Sequence, residues 1–183
     1  KEFITQLSDQ AVIAIDNTRP FQGIAETRDR MQLIIDNMSE PLLLIDRTGT
    51  IGMANPHVDR LGLHVDLVRN QTVESLLSYP GFQFAEKLGF ETADEVRATL
   101  SGLGKPALSH YPGASFKIET NGEPTYFQRS ILPVRGSDGT TIGLLFVYYD
   151  QTESRKLAQA REDFARMIIH DLRGPLTAVT TSL

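Results

Sequence analysis

The sequence of 183 residues contains no cysteine. That excludes a disulfide framework, a zinc–thiolate site and photochemistry through a cysteinyl–flavin adduct. Basic blocks are missing too. Lys and Arg total 18 against 23 Asp and Glu, for a net charge of −5. Nothing gathers the clustered cations that phosphate neutralisation requires, so nucleic acid is disfavoured as a partner. No apolar run approaches the about 20 residues that span a bilayer. The longest, from Ile142 to Tyr149, has the length of a strand. The N-terminus lacks the basic-then-apolar pattern of a signal peptide. Lys1 stands within an apparent helix and Leu183 within another, so the chain reads as an excised piece of a longer protein. The expected location is cytoplasmic, and membrane attachment of the parent is left open.

What is present suffices for a packed core. Hydrophobic residues make up 40% and charged residues 22%, which argues against disorder. The length fits one ordinary domain with flanking helices, or two very small domains. Residues 3–38 read as helix, with Ile4, Leu7, Ala11, Ala14, Phe21, Ala25 and Ile35 near heptad spacing. Pro20 predicts a kink or restart, because it removes a backbone donor and disfavours helical geometry at Arg19. The pattern fits either an amphipathic helix packed on its own domain or one seam of a parallel dimer.

From residue 39 the character changes. Pro41 to Asp46 is a short apolar run closed by Arg47-Thr48-Gly49-Thr50, and Ile51 to Ala54 follows, which predicts a hairpin. Asn55-Pro56 opens a short helix over His57–Leu63, with Asn55 expected to cap it and Pro56 to lose nothing by lacking an N–H. Helical patterns follow at 72–78 and 82–103. Three strands are predicted at Ser115–Thr120, Thr125–Val134 and Thr141–Tyr149, joined by turns at Asn121-Gly122 and Ser137-Asp138-Gly139. Two strands, short helices, then three strands give an antiparallel sheet with helices on one face, an α+β fold. Residues 151–173 are helical again, with Leu157, Ala160, Phe164, Ile168 and Leu172 in one apolar stripe. His170 lies off that stripe. Gly174-Pro175 predicts a kink.

Two stretches carry resemblance to known families. Phe164, then His170-Asp171-Leu172-Arg173-Gly174-Pro175-Leu176, resembles the H-box of sensor histidine kinases. Leu44-Ile45-Asp46, Gly49, Ile51, Ala54-Asn55-Pro56, Leu61-Gly62 and the closing Asp150-Gln151-Thr152 resemble a PAS domain. Leu7 to Arg19 resembles the last helix of a GAF domain. The resemblance implies three parts. Residues 1–38 are a signalling helix that ends a GAF-like domain. Residues 39–152 are a PAS sensor with a five-stranded antiparallel sheet. Residues 153–183 are a signalling helix and the start of a dimerisation and phosphotransfer domain.

The same resemblance implies roles. His170 is the phospho-acceptor: a neutral imidazole is nucleophilic near pH 7. Asp171 is its general base and tautomer clamp, where the family more often has Glu. Asp150 and Thr152 form the signal joint. ATP and Mg2+ serve the parent kinase through a separate catalytic domain, since neither a Gly-rich phosphate loop nor a magnesium cluster is visible here. The chain alone is not expected to autophosphorylate. The implied partners are a second copy in a parallel homodimer, a response-regulator receiver domain and the parent's catalytic domain. Gly174 stands where the family often has Thr or Asn, so the phosphatase route lacks its side chain. His57, His64 and His110 lie in or near the PAS region. Each reads as a surface or capping residue rather than a haem ligand, and the ligand, if there is one, is unidentified. Two further readings stay open: a ligand-binding PAS dimerisation module without kinase activity, and a coiled-coil spacer.

Overall fold

The computed structural model describes residues 29–103, 111, 113–120 and 122–180, with the side chains of Thr120 and of residues 170–180 outside that description. The expected Pro20 kink, the GAF-like segment Leu7 to Arg19, Asn121 and His110 fall outside the described residues. The chain divides into two units, residues 1–39 and 40–183. In the first, residues 29–36 are helical (α1), with Met31, Leu33 and Ile34 exposed.

The second unit opens with β1 (Leu42–Asp46) and β2 (Ile51–Ala54). Their turn is built by the Asp46 carboxylate, which accepts from the Thr48 and Thr50 amides at 2.8 and 3.0 Å. Gly49 supplies the left-handed residue at φ 78° that this turn needs. A 3-10 helix (Pro56–Leu61) and four short α-helices follow: α2 (Val65–Val68), α3 (Val73–Leu77), α4 (Phe84–Lys87) and α5 (Ala93–Ser101). Then come β3 (Ala114–Thr120), β4 (Glu123–Arg135), β5 (Thr141–Asp150) and the long helix α6 (Thr152–Thr180).

The five strands form one antiparallel sheet in the order β2-β1-β5-β4-β3. Side chains alternate across it. Leu43, Ile45, Phe127, Ile131, Leu144 and Phe146 share the core with Val58, Leu61, Val68, Phe84, Leu88 and Val96 from the helical side. The sheet is thus one wall and the short helices the other.

Four local expectations change. The helix expected over His57–Leu63 is a 3-10 helix over Pro56–Leu61, closed by Gly62 at φ 70°. Asn55 stands at its N-cap but its side chain makes no cap bond. Instead Oδ1 accepts from the Leu42 amide at 3.0 Å and Nδ2 donates to the Glu40 carbonyl at 2.8 Å, fastening β1 across the hairpin. The helical patterns at 82–103 are not continuous but form α4 and α5. The break is at Gly89, where φ is 75° and an added Cβ would lie 2.5 Å from the Phe116 ring. Finally, α6 runs unbroken across Gly174-Pro175 to Thr180.

Candidate functional site

The sheet ends and α6 begins within three residues. β5 is a central strand, and beyond the end of β1 its last residue stays paired to β4. Asp150 pairs in register with Phe127 of β4, and Gln151 donates its amide to the Tyr126 carbonyl at 2.8 Å. Asp150 Oδ1 accepts from the Thr152 amide at 2.8 Å, satisfying one of the free donors of the first helical turn. The Thr152 hydroxyl does something different: it accepts from the Tyr126 amide at 3.0 Å and so ties the helix start back to β4. The Gln151 carbonyl takes the first helical bond, from the Arg155 amide at 2.9 Å. One turn on, the Arg155 guanidinium lies 4.8 Å over the Tyr126 ring.

A further residue reaches the joint from the helical wall. Arg60, on the 3-10 helix, donates to Asp150 Oδ2 and sits 5.7 Å over the Phe127 ring. Burial would raise the Asp150 carboxyl, but hydrogen bonds from Thr152 and the Arg60 charge outweigh it and hold the group below the usual carboxylate range. One carboxylate therefore caps α6 with one oxygen and binds the helical wall with the other. The sequence marked Asp150 and Thr152 through their type and position. It gave no signal for Arg60, which is 90 residues away along the chain.

His170 and Asp171 both fall within α6, on the same unbroken helix that leaves the joint, with their side chains outside the described part. His57 is half-buried on the 3-10 helix, and His64 is exposed, its Nδ1 3.7 Å from Asp59 Oδ1. Leu157, Phe164 and Ile168 of the apolar stripe are 63%, 63% and 43% exposed. No helix among the described residues is long and apolar enough to cross a membrane.

A second polar feature lies inside the core. Arg129 of β4 is only 6% exposed and pairs in register with Tyr148, which is fully buried. Its Nη1 donates to the carbonyls of Leu88 at 3.1 Å and Gly89 at 2.7 Å. Burial lowers its pKa, with Tyr148 and Glu95 opposing; burial pushes the Tyr148 phenol up. Sequence reasoning passed over Arg129. Strict alternation along β4 was the available signal, since it sets Arg129 on the face shared by Phe127 and Ile131.

The chain is similar to known proteins. A family profile described as PAS fold matches residues 35–156. The chain is 25% identical over 150 residues to the alginate biosynthesis sensor protein KinB of Pseudomonas aeruginosa, covering 82% of this chain and 23% of that protein. It is 26% identical over 157 residues to the sensor histidine kinase WalK of Bacillus subtilis (strain 168), covering 85% and 23%. The chain therefore spans less than a quarter of the length of these relatives. Among solved structures, the PAS domain of Bordetella pertussis BvgS matches with a TM-score of 0.51 at 18% identity, covering 78% of this chain and 98% of that one, a likeness of fold. With its five-stranded antiparallel sheet, its wall of short helices and the match over residues 35–156, the chain belongs to the PAS-fold family.

Proposed function

We propose that this chain is the sensory and phospho-acceptor portion of a two-component sensor histidine kinase, in which the PAS domain passes a signal along α6 to His170. One observation carries the reading. The string His170-Asp171-Leu172-Arg173-Gly174-Pro175-Leu176 lies on the same helix that begins at the PAS joint, so sheet and phospho-acceptor are joined by a single element. From Thr152 to His170 that helix spans about 27 Å at roughly 1.5 Å per residue.

The chemistry follows from the side chains. An imidazole nitrogen of His170 attacks the γ-phosphorus of ATP; an N–P bond forms, the bond to the bridging oxygen breaks and ADP leaves. Asp171 holds the other ring nitrogen and accepts the released proton. The phosphoryl group then passes to an aspartate of a response-regulator receiver domain. ATP and Mg2+ are held by a catalytic domain of the parent protein, which works in the cytoplasm. A parallel homodimer covers the apolar stripe of α6. Its exposure supports the second copy, because a patch of this kind rarely stays in water.

The test is acid-labile phosphate labelling of the chain joined to a kinase catalytic domain. His170→Gln abolishes labelling, whereas substitutions of His57, His64 and His110 leave it intact. Asp171→Asn slows it on the order of 100-fold, the low end of general-base catalysis. Undiminished labelling of His170→Gln removes the reading and leaves a ligand-binding PAS dimerisation module.

A further inference from the structure

β4 turns Phe127, Arg129 and Ile131 toward the helical wall, and the middle one is a cation. A buried charge is costly unless something opposite in sign or dipole meets it. Here the compensation is partial. Two carbonyl oxygens take Nη1, and the guanidinium lies 3.5 Å over the Phe90 ring. The Nε is buried with no hydrogen-bond partner. Among the described residues no carboxylate forms an ion pair with Arg129, and Glu95 acts on it only through space.

A cleft of about 490 Å³ opens onto this guanidinium, between the α4–α5 segment and β3. Glu86, Glu91 and Glu95 line it and are exposed, so they form its rim. Lys117 also lines it, but its ammonium is 3.7 Å from Glu119. The cleft is therefore positive at its floor and negative at its mouth. A polyanion would meet the rim unfavourably, and an amine alone would leave the floor unmatched. A molecule with a carboxylate at one end and an ammonium at the other complements both.

We propose that this cleft binds a small zwitterion of the α-amino-acid type, its carboxylate on Arg129 and its ammonium toward Glu91 and Glu95. With Nη1 taken by two carbonyls and Nε buried, Nη2 is the charged donor left for a carboxylate. This inference rests on the reading of the domain as a sensor, for which it names the class of signal.

The experiment uses the whole chain, with isothermal titration against each of the standard L-amino acids and against propionate and propylamine. At least one amino acid binds saturably, and more tightly than either half-ligand. Arg129→Gln and Arg129→Lys each weaken that binding by at least about tenfold, and the Lys variant keeps the charge as a guard against loss of fold, read from its unligated melting. The double change Glu91→Gln, Glu95→Gln weakens the amino acid and leaves propionate unchanged. Absence of binding by every amino acid overturns the proposal, as does equal affinity in the folded Arg129→Lys protein. Propionate binding as tightly as the best amino acid overturns the zwitterion. None of these results moves labelling of His170, so failure here is distinct from failure of the kinase reading.

Discussion

Asn55 serves β1 rather than the helix it precedes. Its amide meets a buried N–H at Leu42 and the Glu40 carbonyl, so Asn55→Ala leaves both without a partner. The loss at the buried Leu42 amide falls in the range of about 1–3 kcal/mol for an orphaned buried group. We expect Asn55→Ala to lower stability by about that amount in urea unfolding; an unchanged midpoint would contradict the role assigned to this side chain. Asp150 carries a pH signature. Its folded pKa is depressed, so its contribution is complete above the unfolded carboxylate value of about 3.9 and is lost as pH falls through the folded value. The stability gap between wild type and Asp150→Asn should be constant from neutral pH down to the usual carboxylate range and should shrink below it. A gap that closes nearer neutrality would show that another group governs the joint. Residue type alone placed Asn55 and Asp150 correctly along the chain but not their partners. Asn55 and Arg60 are satisfied by groups distant in sequence, and local pattern contains no such information.

At the scale of elements, the strands were legible because their turns are chemical. The Asp46 carboxylate gathers the Thr48 and Thr50 amides, and Asp138 Oδ1 accepts from the Thr140 amide at 3.0 Å. Such punctuation survives in one dimension. The 82–103 region reads only as helical patterns, and the break between α4 and α5 lies at Gly89, where φ is 75° and Phe116 approaches in three dimensions. For α6 the test is geometric. The helix turns about 100° per residue, so seven extra residues nearly restore its facing and four leave it about 40° off and out of heptad register. Insertions between Glu153 and Phe164 should therefore differ: seven residues preserve signal-dependent phosphorylation in the joined kinase, and four invert or lock it. Equal output from both would rule out transmission by a rigid helix. In the proposed dimer, the two-state element this requires would be the packing of α6 against its copy, biased by the joint.

For the whole molecule, the fold class was readable from the order of strands and helices, whereas the Arg129 cleft was not, because it is made by segments that meet only in three dimensions. The apolar stripe of α6 has a direct consequence for assembly. With Leu157 and Phe164 each 63% exposed, burying them requires another surface. Light scattering at high micromolar concentration should give the mass of two chains, and Leu157→Glu with Phe164→Glu should return one. A monomeric wild type would remove the parallel dimer.

The sheet order also bears on how the protein is made. β1 lies between β2 and β5, although about a hundred residues separate β1 from β5 along the chain. As the chain leaves the ribosome, the β1–β2 hairpin waits with an open edge until the last strand arrives, and closing so long a loop is the slow step of such a topology. α6 follows that last strand directly. The ribosome therefore delivers every strand of the sheet before it delivers the helix that bears His170.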